Sequence, residues 1–485
     1  MTSPGRVGRP SSPSGAVEIG ARRELFVDDF LLETRDGVDM RLHSPTPQEV
    51  VMVHDGPWEG SGCGYHTVFR DGDIIRMYYI AADLTNEDGT RLASRPVYAC
   101  YAESADGIRW TKPDLGLVEF GGSTANNIVW TGPGADNFTV FKDANPERRN
   151  GELYKAVGVG PGGLWAFKSA DGLHWSRLSE APVITKGAFD TQNIAFWDPV
   201  RRHYWAYIRD FHSGVRDIRV ATSPDFLAWS EPELLRYVDS PDEPLYTNQV
   251  IPYPRAPHLF VGFPARYIER PWSPSFDSLP DPAHRRRRMA FSPRYGTALT
   301  DGLFMTSRDG RTFRRWGEAF IRPGIERRHN WVYGDCYQNW GLVETAAGPF
   351  APPELSFYVG ENHWKTANRL RRHTLRVDGF VSLHAPLKGG EVVTKPLVFA
   401  GSALTLNFST SAAGSIRIEV QDGDGHAAPG YALADCDEVF GDSLERTVTW
   451  KGRSDLGPLA GRPVRLRLEL KDADLFALQF APAPR

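Results

Sequence analysis

Over most of its length the chain alternates apolar and polar residues in runs short enough to be single strands, the period-two pattern of a sheet with one buried face. Residues 64–70, 74–80 and 97–103 form the first such set, and comparable sets begin near Asp136, Asp190, Tyr246 and Gly334. Between the runs stand Gly, Asp, Asn and Ser, which supply positive φ or side-chain acceptors for tight turns.

Four of these turns share one pattern: Ser, any residue, Asp, then an aromatic four residues on. They are Ser104/Asp106/Trp110, Ser169/Asp171/Trp175, Ser223/Asp225/Trp229 and Ser307/Asp309/Phe313. Ser and Asp side chains accept from nearby backbone N–H groups, and the aromatic packs where the next strand begins, so each copy predicts the same hairpin turn in a repeated unit. A fifth unit, from Gly334 to Arg376, lacks the full turn. Five units of four antiparallel strands predict a five-bladed β-propeller, whose radial blades protect strand edges. Residues 24–33 read as a strand that closes the ring, and the fourth unit carries a Pro- and Arg-rich insertion between its second and third strands.

From about Val392 the alternation continues without Ser-x-Asp turns, which predicts a small β-sandwich that braces the propeller. The expected organisation is all-β: a disordered segment at 1–21, a propeller at 22–385 and a sandwich at 386–485.

Composition narrows the class. With 56 basic and 60 acidic residues the net charge is −4, which argues against general attraction to nucleic acid or an anionic membrane. The substrate need not be strongly charged. The 14 Trp, 17 Tyr and 26 Phe suit strand packing and offer flat faces for sugar rings. Cys63, Cys100, Cys336 and Cys436 are scattered without metal-binding spacing, so buried thiols are expected and neither a metal nor a cofactor is implied. The Gly-, Pro- and Ser-rich start lacks the apolar stretch of a secretory signal, and a cytoplasmic protein is expected. Phosphate loops, serine elbows and zinc-binding His pairs are missing. The basic run from His284 to Arg288 reads as a solvated loop.

In a propeller, inner-strand starts and the loops between second and third strands meet at one end of the channel. The first set contains Glu59, His66, Asp136, Asn137, Asp190, Gln192, Asn248, Gln249, Asp335 and Tyr337. The second contains Asp217, Arg266, Glu361, His363 and Trp364. Carboxylates, amides and aromatics around one cavity are what glycoside hydrolysis requires. Asp190 is the leading catalytic carboxylate. Glu361 is the expected general acid, because a nearby Trp raises a carboxyl pKa by desolvation. Asp335 and Asp217 compete for a third role, with Arg216 expected to keep Asp217 ionised. The amides, His66, Glu59, Arg266, Tyr337, His363 and Trp364 are expected to contact an oligosaccharide.

From Glu24 onward the chain resembles the five-bladed propeller glycosidases of glycoside hydrolase families 32 and 43. The resemblance implies three acidic residues around the funnel, serving as nucleophile or base, as pKa modulator and as general acid on furanosides or pentosides. Their first-strand Asp is replaced here by the segment from Gly62 to His66, leaving Asp28, Asp29 or Glu59 to supply that carboxylate. Arg216-Asp217-Ile218 echoes the family 32 Arg-Asp-Pro motif, and the Glu-Cys motif is missing. Two rivals stand beside this reading: a non-catalytic glycan-binding propeller, and an Asp-box sialidase using Arg209, Arg216, Arg266 and a Tyr nucleophile.

Overall fold

The computed structural model describes residues 15–92, 96–238 and 240–481. Two compact units emerge: Ser44–Val377, and the residues before and after that stretch.

The first unit is a five-bladed propeller. Its blades follow the chain: Gly64–Asp71, Ile74–Ala81, Tyr98–Ser104 and Ile128–Thr131 form the first, and Asp136–Lys142 through Ser176–Arg177 the second. Ile194–Asp198 through Glu233–Leu234 form the third, and Ile251–Tyr253 through Thr312–Arg315 the fourth. The fifth joins Val343–Ala346, Pro353–Glu361 and Arg369–Arg376 to Thr46–Val53, so chain-distant strands close the ring. Residues 24–33, expected to do this, lie in the other unit, where Arg23–Leu25 pairs with 477–479. The closing strand is the next apolar run along the chain, with Met52 buried opposite Leu370.

All four Ser-x-Asp turns form as expected. In the first, Ser104 Oγ accepts from Asp106 and Gly107 N–H, Asp106 Oδ1 accepts from Ile108 and Arg109 N–H, and the Trp110 indole donates to the Gly107 carbonyl. The turns also join blades. Gly107, Gly172 and Gly310 have φ of +73° to +83°, and their carbonyls accept from Tyr358, Tyr78 and Tyr207 of the preceding blades at 2.7, 2.9 and 2.8 Å. A Cβ at these glycines would lie 2.6 to 2.9 Å from those hydroxyl oxygens, which excludes any other residue without displacement. At the remaining Ser-x-Asp turn Val157 occupies the register position of Tyr78, opposite Thr139 rather than Thr67, and Phe226 replaces the glycine. Both belong to one buried cluster, so a ring fills the space that a tyrosine fills elsewhere.

The insertion in the fourth blade is a hairpin, Ala265–Glu269 with Ala298–Gly302, capped by short helices Pro274–Ser278, Pro282–Met289 and Arg294–Thr297. His284, Arg285 and Arg288 are buried on one face of the middle helix. The basic run is therefore half packed, because residues one helical turn apart share a face, and the expected solvated loop is corrected.

The second unit is the β-sandwich. Leu32–Asp36, Gly390–Thr394, Arg465–Ala481, Val381–Ala385 and Asp39–Leu42 lie side by side, and Ala403–Gln421 pairs along Arg465–Ala481. A register irregularity between Thr410 and Ser415 interrupts that long pairing, and Trp450, Leu404, Leu466 and Phe480 fill the core. Residues 1–14 of the segment expected to be disordered lie outside the described residues, whereas Val17–Gly20 forms a strand parallel to Leu397–Phe399. The division between units thus falls at Ser44 and Val377 rather than at 22 and 386. All four cysteines are free and buried.

Candidate active site

The inner strands do not begin as regular ladder. Tyr65, Asn137, Gln249 and Cys336 adopt φ of +44° to +66°, and the pairing slips between Gly64 and Thr67 and between Asp136 and Thr139. Such bulges re-aim side chains and store strain where the surroundings over-determine it. Of these residues, Tyr65 and Asn137 line a cavity of about 270 Å³, together with His66, Asp136, Asp190 and Glu361, among others.

One side of the cavity is acidic. Asp190 is largely exposed, with Arg209 3.5 Å from it. Asp136 is partly buried, and burial together with the charge of Asp190 pushes its carboxyl up to about 6. Two carboxylates thus share one pocket in different surroundings, one desolvated and one exposed, the kind of asymmetry that can separate an acid from a base. Asp83 also lines the cavity and accepts from the Ser61 N–H at 3.0 Å.

Beneath lies a seal of amides. Gln249 Nε2 donates to Gln192 Oε1 at 2.5 Å, Gln192 Nε2 donates to Thr67 Oγ1 at 3.1 Å, and Asn248 donates to the Tyr207 carbonyl at 3.2 Å. These amides, expected to touch substrate, are at most 1% exposed and tie blades one, three and four together. Tyr65, Tyr337 and Tyr246 stack in succession at 6.0 and 5.5 Å, and Tyr333 donates to the Tyr246 hydroxyl. Among lining residues, Asn137 Oδ1, Tyr337 Oη, Asn368 Oδ1 and both amide atoms of Gln338 are buried without a hydrogen-bond partner. Unmet polar atoms cost roughly 1–3 kcal/mol each, so this cluster is built for hydroxyl-bearing ligand or ordered water.

His66 has a determinate tautomer. His54 Nδ1 lies 3.1 Å from the Asn368 carbonyl, an acceptor, so that nitrogen carries hydrogen. Burial lowers the pKa of both rings, His66 most, which keeps them neutral. His54 Nε2 is therefore bare and accepts from His66 Nε2–H at 3.0 Å, leaving His66 Nδ1 as an acceptor.

The loop from Gly360 to Trp364 supplies the far side. Asn362 and Trp364 adopt φ of +62° and +73°, and a Cβ on Gly334 would strike the His363 ring at 2.1 Å. Glu361 lines the cavity, but its carboxylate is held by Arg371 and Arg327 at 2.8 and 2.5 Å. The Trp364 indole donates to the Tyr333 carbonyl. Asp335 sits behind this loop, 3% exposed, accepting from the His363 N–H; burial pushes its carboxyl up to about 8.

Of the residues expected from the sequence, the fold brings Asp190, Glu361, His66, Asn137, Tyr337, His363 and Trp364 to the cavity, with Asp335 just behind. The others serve elsewhere. Glu59 is buried against Tyr79, Lys112 and the Gly56 N–H. Arg266 is forked onto Asp301 and bonded to Glu243. Asp217 accepts from Tyr237, and burial raises its pKa, so the expected ionising influence of Arg216 is overridden; that guanidinium lies over Tyr267 instead. Asp136 emerges as a carboxylate the sequence ranking passed over, although it opens its strand as Asp190 precedes the next.

No family model and no curated protein matches the chain. Among solved structures it is similar to a protein titled glycoside hydrolase, at 12% identity and a TM-score of 0.43, over 69% of this chain and 92% of the other. It is also similar to a Schwanniomyces occidentalis fructofuranosidase variant complexed with fructosylnystose, at 10% identity and 0.40, over 91% and 99%. A third is the family 32 β-fructofuranosidase of Bombyx mori, at 8% and 0.40, over 91% and 94%.

Proposed function

We propose that the chain is a glycoside hydrolase that cleaves the O-glycosidic bond of a furanoside, pentoside or fructoside-like oligosaccharide, with Asp136 and Asp190 as its carboxylate pair. The observation that carries this reading is the pair itself: one carboxyl raised to about 6, beside an exposed one that faces Arg209, in a cavity whose amides and phenol lack partners.

Asp136 holds its proton up to about pH 6, well above an ordinary carboxyl, and delivers it to the leaving oxygen as the C–O bond breaks. Asp190, exposed beside Arg209, attacks the anomeric carbon or takes a proton from the water that does. Asn137, Tyr337, Gln338 and Asn368 bond the sugar hydroxyls, while the tyrosine stack offers a face for the ring. Glu361, restrained by two guanidinium groups, suits orientation of the substrate rather than proton delivery.

Aryl furanosides and pyranosides, screened with the parent protein beside Asp136→Asn, Asp190→Asn and Glu361→Gln, test the assignment. On any cleaved substrate the first two variants should lose about 10²–10⁴-fold in kcat, and Glu361→Gln should chiefly raise KM. Full turnover by both Asp variants sinks the pair. Binding of glycans without cleavage by the parent leaves the non-catalytic alternative. The anomer released first, followed by proton NMR, separates the two roles of Asp190.

A further inference from the structure

The fourth-blade insertion carries guanidinium groups that form no ion pair among the described residues, although Asp335 and Asp281 act on Arg285 and Arg288 through space. Arg288 is 1% exposed, stacks on Trp364 at 4.8 Å, and has Nε and Nη1 buried without any acceptor. Arg285, also 1% exposed, reaches only the carbonyls of Pro280, Asn330 and Trp331 and leaves Nη1 unmet. Arg294 lines the cavity between Tyr295 and Tyr333, and its Nη1 is unmet as well. A buried cation without an ion-pair partner is among the costliest features a fold can carry. Arg285 and Arg288 share the helix Pro282–Met289, while the half-buried Arg294 opens the next helix, bonds Tyr267 and is the one of the three that lines the cavity.

We propose that the sugar bound here bears a carboxylate, as a uronic acid does, taken by Arg294 with Arg288 and Arg285 supplying a fixed positive field behind Trp364. This rests on the glycosidase reading for its site, and it adds the substrate class. A guanidinium matches a planar carboxylate with two parallel N–H donors, which a tetrahedral sulfate ester matches less well. The pocket is then polar from end to end: acids at the bond to be broken, guanidinium groups at the substituent. Such polarity fixes the direction in which a sugar enters. The near-neutral total charge of the chain does not oppose it, because a local field rather than net charge selects the ligand.

Calorimetric titration of D-galacturonate and D-glucuronate against D-galactose, D-glucose and galactose 6-sulfate tests this without requiring turnover. At least one uronate should bind about tenfold or more tightly than its neutral counterpart, weakening as salt rises. Arg294→Gln should abolish that preference and leave neutral sugars unchanged, with Arg294→Lys intermediate. Arg288→Met should weaken uronate binding while raising the melting temperature, since it removes an orphaned charge; a merely structural arginine would lower it. Asp136→Asn should keep the preference while losing turnover, so failure of hydrolysis and failure of carboxylate recognition are told apart. The proposal is overturned if neither uronate binds, if neutral or sulfated sugars bind as well, or if Arg294→Gln keeps the preference.

Discussion

Asp136 and Asp335 show how burial, rather than residue type, sets the role of a carboxyl. For both, the folded-state pKa lies above the ordinary carboxylate value, so their contribution to stability is complete below about pH 4 and is lost as pH rises through about 6 and about 8. Asp335→Asn should therefore melt higher than the parent at pH 8.5 and about the same at pH 4, read by calorimetry at the two values; equal shifts at both would show that Asp335 is not held protonated. In the active protein the alkaline limb of kcat/KM should fall near pH 6, where Asp136 loses its proton. His66 gives a spectroscopic check: nitrogen-15 NMR at neutral pH should show Nε2 protonated and Nδ1 bare, and the opposite tautomer would break the chain of bonds from Asn368 through His54. In sequence these residues were only partly legible. Asp190 stood out by its place at a strand start, and Asp136 occupied a comparable place, but which carboxyl is desolvated depends on neighbours from other blades.

Among elements, the Ser-x-Asp turn was the most legible, because its hydrogen bonds are local and close within six residues. Its second task, receiving a tyrosine from the adjacent blade, was not, since that partner lies 94 to 251 residues away. Gly172→Ala should cost about 1–3 kcal/mol in denaturant unfolding, from both the +83° φ and the Tyr78 hydroxyl that a Cβ meets. At the exceptional junction, Phe226→Gly should destabilise by about 3–5 kcal/mol, and Val157→Tyr added to it should recover part of the loss. Additive losses instead would mean that the two positions are not exchanged as a pair. The helix Pro282–Met289 illustrates the reverse failure: four consecutive arginines read as solvent-facing, yet tertiary packing buries two of them.

At the scale of the whole molecule, closure of the ring by Thr46–Val53 against Arg369–Arg376 couples two segments separated by more than three hundred residues. Met52 packs in the cluster that holds Leu370, Val343 and Tyr358. Met52→Ala should cost about 2–5 kcal/mol and raise amide exchange in both the first and fifth blades; a change confined to Thr46–Val53 would show that this strand is an accessory rather than the closure. The amide chain from Gln249 through Gln192 to Thr67 works at the same scale, joining three blades beneath the cavity. That explains why three residues suited to bind sugar serve the scaffold.

Local chemistry alone determined the strand pattern, the repeated turns, the number of blades and the change of texture into the sandwich, because alternation and side-chain capping act over a few residues. Tertiary structure decided which strand closes the ring, which amides face the cavity and which seal it, and which carboxyls keep a proton. Those outcomes depend on burial and on charges brought together from distant blades, and no short stretch of chain contains that information.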